Sequence, residues 1–167
     1  MATVLLISRQ DAVKFTNING SIDTDIFIQY IKEAQDTILQ SYLGTDLLEK
    51  LQADITAGSL TGNYLTLTNT YIKPALIQWS YVCFLPNAPY KIGNNGVYKK
   101  NSDNAENISL DELNNLIDNA RLKADNYTRR MIDYINDNTA NFPEYSGNDS
   151  PGDVYPKGDI NGIGWYL

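Results

Sequence analysis

The sequence predicts a mainly α-helical fold: a small bundle of about four to five helices, with a projecting hairpin and an extended C-terminal arm. Apolar residues recur at helical spacing through several long stretches, and Gly or Pro residues stand at the ends of those stretches. The last thirty residues, 138–167, contain three prolines and five glycines, which disfavour a helix there. We therefore divide the chain into a helical domain (1–137, with a hairpin insertion at about 88–108) and an arm (138–167).

The N-terminal part predicts two helices. Ser8 and Asp11 have the positions of an N-cap and a first-turn acid of a short helix, which the segment 17–21 then ends. A long helix is predicted from Thr24 to Leu43, because apolar residues follow one another at steps of three and four. That apolar face consists of Phe27, Ile31, Ala34, Ile38 and Tyr42, widened by Ile28, Leu39 and Leu43.

Gly44 is predicted to be the left-handed glycine that ends the long helix. Thr45 or Asp46 is then expected to cap a shorter helix, which Gly58 and Gly62 close. The apolar residues of that helix are Leu47, Leu48, Leu51 and Ile55.

A central, deeply buried helix is predicted from about Asn63 to Leu85. Pro74 lies inside it and should bend the helix or begin a second piece, because the proline ring clashes with the preceding turn. After Pro86 and Pro89, the pair Asn95-Gly96 is typical of a type I′ turn and predicts a hairpin. We expect its residues Ile92, Asn95, Gly96, Val97 and Tyr98 to reach a neighbouring subunit.

The last helix is predicted to begin at a capping box, Ser109-Leu-Asp-Glu112, and to reach about Asn136. Its apolar spacing continues for about seven turns. Such a helix is longer than the body needs for its core, so we expect its far end to contribute to an interface.

Composition excludes several classes of function. The net charge of -7 argues against tight nucleic-acid binding, which needs clustered Lys and Arg. The chain has no histidine, which excludes ordinary zinc sites and Ser-His-Asp or Cys-His mechanisms. Its one cysteine, Cys83, lies in an apolar run and is expected to be a small buried side chain. We therefore predict no catalytic, cofactor-binding or metal-binding residue, no membrane contact and no enzyme activity.

The arm carries aromatic and β-branched residues that ordinary disordered tails lack. Trp and Tyr combine apolar area with a polar group, which suits them to interfaces. We expect this arm to be covered by another polypeptide. The predicted docking residues are Tyr155, Pro156, Ile160, Ile163, Trp165, Tyr166 and Leu167.

The order of these elements resembles the head–tail connector (adaptor) proteins of tailed bacteriophages. The resemblance covers roughly residues 5–145. The stretches that carry it are Ala34-Gln35 through Tyr42-Leu43-Gly44, Tyr71-Ile-Lys-Pro74-Ala-Leu76, the segment around Asn95-Gly96-Val97, and Ala124-Asp-Asn-Tyr127 through Tyr134-Ile135 to Phe142-Pro-Glu-Tyr145. The Asn-rich composition is similar to that of connectors from crAss-like phages.

The resemblance implies a non-enzymatic virion protein, made in the host cytoplasm and located in the head–tail neck. Such subunits form a homo-oligomeric ring, a dodecamer by resemblance, that joins the portal protein to the next neck or tail ring. DNA passes through the ring without specific binding. The alternatives are a tail completion protein with the same body, a small carboxylate-based hydrolase, and a helical module whose arm captures a peptide.

Overall fold

A computed structural model describes residues 4–18, 24–93, 96–99 and 109–157. The prediction of a mainly helical bundle with a hairpin is confirmed. In chain order the elements are α1 (Arg9–Phe15), α2 (Thr24–Glu33), a π-helical segment (Ala34–Leu39), α3 (Gln40–Leu43), α4 (Thr45–Ala57), α5 (Gly62–Thr66), a second π-helical segment (Leu67–Ile72), α6 (Lys73–Phe84), β1 (Tyr90–Gly93), β2 (Gly96–Lys99) and α7 (Leu110–Asp137).

The predicted long helix is present, but a π-helical segment divides it. A π-helical turn contains more residues than an α-helical turn, so it changes which residues of this segment face the core. Gln35 and Leu39 are therefore fully buried, whereas the predicted core positions Ile38 and Tyr42 are only half-buried. The Gln35 side-chain amide forms two hydrogen bonds with the backbone of the segment before α1. Its Oε1 accepts from the Leu6 N–H at 2.9 Å, and its Nε2 donates to the Val4 carbonyl at 3.0 Å.

Helix α6 is the central helix of the bundle. Its buried residues lie on all sides, among them Leu76, Trp79 and Phe84, and it packs against both α2 and α7. The prediction for Pro74 is confirmed, because the π-helical segment ends at Ile72 and Pro74 lies in the first turn of α6. At this position proline does not interrupt an established α-helix.

Helix α7 begins at the predicted capping box. The Ser109 hydroxyl accepts from the Glu112 N–H at 3.3 Å, and the Glu112 carboxylate accepts from the Ser109 N–H at 2.9 Å. The apolar face of α7 packs on α6 and the second π-helical segment. One polar bond joins the two helices in the core, since Trp79 Nε1 donates to Thr128 Oγ1 at 2.9 Å.

The hairpin is antiparallel, and its register corrects the predicted turn. Ile92 pairs with Val97 and Gly93 with Gly96, so Gly96 is a strand residue rather than part of the turn. Separately, none of the helices within the described ranges is long and apolar enough to cross a membrane.

The chain after α7 returns to the helical body. Two short 3₁₀ turns, Thr139–Asn141 and Pro143–Tyr145, follow α7 directly, and Phe142 between them is fully buried. We call residues 138–157 the strap and residues 158–167 the tail. The packed body therefore continues beyond the predicted boundary at residue 137, because the strap packs on the helices.

Candidate functional site

The strap is attached where α3 meets α4, at Gly44. This residue has φ +80° and ψ 168°, a conformation that is essentially restricted to glycine. The positive φ was expected, but the ψ value differs from that of a left-handed helical cap. A Cβ atom here would lie 2.8 Å from the Asn148 side chain and 3.0 Å from Pro156 Cδ. Gly44 thus lets the strap approach the helix junction closely.

Asp46 and Asn148 form a reciprocal pair across this junction. The Asn148 N–H donates to Asp46 Oδ2 at 2.7 Å, and the Asp46 N–H donates to Asn148 Oδ1 at 3.1 Å. Asn148 has φ +45° and is fully buried. Asn adopts positive φ more readily than most residues. Its side-chain oxygen accepts from the Asp46 N–H, a group at the start of α4 that would otherwise bind water.

Two further contacts hold the end of the strap. The Thr45 N–H donates to the Val154 carbonyl at 3.0 Å, and the Val154 N–H donates to Thr45 Oγ1 at 2.8 Å. The Lys157 N–H then donates to the Ser41 carbonyl at 2.8 Å. The prediction that Thr45 or Asp46 is the N-cap of α4 was wrong, because α4 begins at Thr45 and its N-cap residue is Gly44, which has no side chain. Both side chains bind the strap instead.

The start of the strap is fixed by aromatic contacts. The Phe142 ring packs edge-on against Tyr64, with centroids 5.4 Å apart. The Tyr64 hydroxyl donates to Glu144 Oε2 at 2.7 Å. Burial, this hydrogen bond and the negative charge of Glu144 raise the pKa of Tyr64 to about 12. Both ends of the strap are therefore bound to the helical body.

Of the predicted docking residues, only two lie in the described part of the chain. Tyr155 is 66% exposed, although its neighbour Val154 is hydrogen-bonded to Thr45. Pro156 is half-buried beside Gly44. The remaining predicted docking residues, Ile160, Ile163, Trp165, Tyr166 and Leu167, lie outside the described residues. Tyr155 is the last aromatic side chain before the tail, and it faces solvent.

Of the predicted inter-subunit residues, Ile92, Gly96, Val97 and Tyr98 lie in the paired strands. Asn95 lies outside the described residues. The strands therefore bring these residues together in one hairpin, and the contact with a neighbouring subunit stays a prediction.

Four carboxylates of the described residues line one groove of the body. A groove of about 1020 Å³ beside α4 is lined by Asp36, Asp46, Glu49 and Glu144. Three of these carboxylates have structural partners: Asp36 binds Lys32, Asp46 binds Asn148 and Glu144 binds Tyr64. Among the described residues, no group of three or more His, Cys, Asp or Glu side chains is placed to hold a metal ion.

Cys83 has the environment of a structural side chain. It is half-buried in the core beside α2. Burial, with a smaller contribution from Glu33, raises the pKa of the thiol to about 11. A reactive cysteine needs a lowered pKa, so the thiol is protonated and weakly nucleophilic at neutral pH.

Sequence reasoning missed the residues that bind the strap. Asp46 and Asn148 are separated by 102 positions, and no local pattern links them. A partial signal was present, because Gly147-Asn148 is a favoured turn pair. Gln35 was missed for a different reason. A polar residue beside a predicted apolar face gives no indication that its amide is buried and binds the backbone of Val4 and Leu6.

Comparison with known proteins gives one match. Residues 39–154 match the model of a family of unknown function, DUF6712. No curated protein and no solved structure matches the chain. The matched range begins in the first π-helical segment and ends at Val154, so it contains α4 to α7 and the strap contacts at Thr45 and Asp46. Because that range spans more than two-thirds of the chain, the protein belongs to the DUF6712 family.

Proposed function

We propose that this protein is a structural subunit of a phage head–tail connector ring, which joins the portal to the next neck or tail component. The observation that carries the proposal is the strap. Five hydrogen bonds to the α3–α4 region, two between backbone groups and three from a backbone N–H to a side chain, fix the strap on the body. They place the exposed Tyr155 at the base of a tail that contains Ile160, Ile163 and Trp165.

A rigid base under an apolar segment suits a docking element. The ordering cost of binding falls when the attachment point is already fixed, and aromatic anchors contribute most of the energy of many interfaces. In a closed ring each such contact is repeated by symmetry. Weak individual contacts then combine into a stable assembly.

The net charge of -7 also supports a channel component. DNA must move through a neck ring without being held, and an acidic protein makes few phosphate contacts. The hydrolase alternative gains no support, because three of the four carboxylates in the large groove are bound to structural partners. A catalytic pair needs carboxyl groups directed at substrate.

The test is co-expression of the full chain with the portal protein and the adjacent tail-ring protein of the same genome. We expect a ring of this chain bound to the portal, seen by electron cryomicroscopy and native mass spectrometry. Binding to the tail ring alone would assign the chain as a tail completion protein. Absence of binding to either partner, or specific hydrolytic activity of the purified chain, would overturn the connector assignment.

A further inference from the structure

A second, smaller groove is lined by none of the residues that bind the strap. It has a volume of about 320 Å³ and is formed by α1, the start of α6 and α7. Its apolar lining consists of Phe15, Pro74, Ile77 and Tyr127. Phe15 is 59% exposed although it is a large aromatic residue. The groove therefore offers two aromatic rings and an aliphatic floor to an incoming side chain.

Three cationic groups surround this groove. Lys73 lines it, Lys14 Nζ lies 5.4 Å from the centroid of the Phe15 ring, and Arg130 Cζ lies 5.8 Å from that of Tyr127. The one carboxylate in the lining, Asp11, accepts hydrogen bonds from the Ser8 N–H and hydroxyl at the start of α1. On a protein of net charge -7, this is a locally basic aromatic surface. It suits an acidic peptide with aromatic side chains.

The tail has this chemistry. Its sequence, Gly-Asp-Ile-Asn-Gly-Ile-Gly-Trp-Tyr-Leu, contains one acidic residue, Asp159, and no cationic residue. Trp165 and Tyr166 supply flat apolar rings with polar atoms that the Asn69 and Gln78 amides of the groove can meet. Trp165 is eight residues beyond Lys157, so it can reach at most about 26–29 Å from the end of the strap.

The strap ends at α3, whose residues do not line this groove. Lys157 binds Ser41, and its Nζ lies 6.0 Å from the centroid of the Tyr42 ring. Neither Ser41 nor Tyr42 is among the residues that line the groove.

A head-to-tail ring contact requires two different surfaces on one subunit. Here they are the strap end that carries the tail and the groove at Phe15 and Tyr127.

We propose that the tail of one subunit binds the groove at Phe15 and Tyr127 of the next subunit, with Trp165 as the anchor. This inference rests on the proposed ring function and names the contact between its subunits. Each subunit then gives one tail and receives another.

Complementary variants test this contact in the full chain by analytical ultracentrifugation. Phe15→Ala removes the groove and keeps the tail, whereas Trp165→Ala removes the tail anchor and keeps the groove. We expect each variant alone to associate about tenfold or more weakly than the original chain. An equimolar mixture should regain one contact per pair and form a 1:1 dimer that does not grow further.

Leu122→Ala is the matched control, because Leu122 is 62% exposed on α7 away from the groove; it should associate like the original chain. Circular dichroism confirms that each variant is folded. The proposal is overturned if the original chain stays monomeric up to its solubility limit, if the mixture forms no dimer, or if Phe15→Cys and Trp165→Cys in one Cys83→Ser chain crosslink only within that chain. Dimer formation without portal binding would leave this contact standing and reject the connector function.

Discussion

At the scale of single residues, a few polar groups and one glycine determine where the strap lies. Gly44 permits close approach, Asp46 and Asn148 satisfy each other's backbone groups, and Thr45 accepts from Val154. Buried polar groups left without partners cost free energy. These bonds therefore specify one position for the strap more strictly than apolar packing alone.

Gly44→Ala should destabilise the protein strongly. A side chain at this φ and ψ costs about 1–3 kcal/mol, and its Cβ would also meet Asn148 at 2.8 Å. The free energy of unfolding in urea measures the loss. Gly58→Ala is the control, since Gly58 has φ +65° but no atom within 4 Å of the added Cβ. Equal losses in the two variants would show that the strap does not crowd Gly44.

Tyr64 should make the free energy of unfolding depend on pH in the alkaline range. Its pKa is raised from 10.0 to about 12, so its contribution is complete below pH 10.0 and is lost as the pH rises through about 12. Tyr64→Phe should flatten the fall in urea midpoint across this window, because no phenolate then forms beside Glu144. Tyr155→Phe, at an exposed position, should keep the original dependence. A Tyr64→Phe profile identical to the original would contradict the prediction.

At the scale of elements, local sequence signals predicted the start of α7 but did not predict the π-helical turns. The capping box at Ser109 and Glu112 fixed the start of α7, because both partners lie within one turn. The segments Ala34–Leu39 and Leu67–Ile72 form π-helix, whose wider turn is not visible in an apolar pattern read at 3.6 residues per turn. Within the predicted apolar face, Leu39 is fully buried and Ile38 only half-buried, although the helix was predicted at the right place.

Ser109→Ala should loosen the first turns of α7. Loss of an N-cap hydroxyl costs about 0.5–2 kcal/mol, and the side chains around it, such as Leu110 and Glu112, are exposed. We therefore expect faster amide hydrogen exchange over residues 110–116 and little change near Ala124 and Met131, which are fully buried. Ser59→Ala, at an exposed position after α4, should leave exchange in α7 unchanged. Uniformly faster exchange along α7 would contradict local fraying.

At the scale of the whole molecule, the strap shows which contacts the sequence alone does not predict. The prolines and glycines correctly excluded a long helix over residues 138–157, the part of the arm that the structure describes. They could not indicate that Phe142 inserts beside Tyr64, because these two residues lie far apart in sequence. Of the aromatic residues in the described part of the arm, Phe142 and Tyr145 pack on the core of their own chain, whereas Tyr155 is exposed.

Two truncations separate the strap from the tail. A chain that stops after Lys157 keeps every strap contact described above, so it should retain its helical circular dichroism and thermal midpoint. A chain that stops after Asn141 loses Phe142, which is fully buried, together with the bonds at Thr45 and Asp46. Removing a buried aromatic side chain alone costs about 3–5 kcal/mol, a large part of a typical stability of about 5–15 kcal/mol.

We therefore expect the shorter chain to be largely unfolded at room temperature, and Phe142→Ala in the full chain to lower the thermal midpoint without abolishing the fold. A stable chain ending at Asn141 would mean that the strap is an accessory of the body. Loss of structure in the chain ending at Lys157 would mean that the body needs the tail for its own core. In that case the tail could not leave to bind a neighbouring subunit without unfolding the chain that carries it, so the two truncations also decide whether exchange of tails between subunits is physically possible.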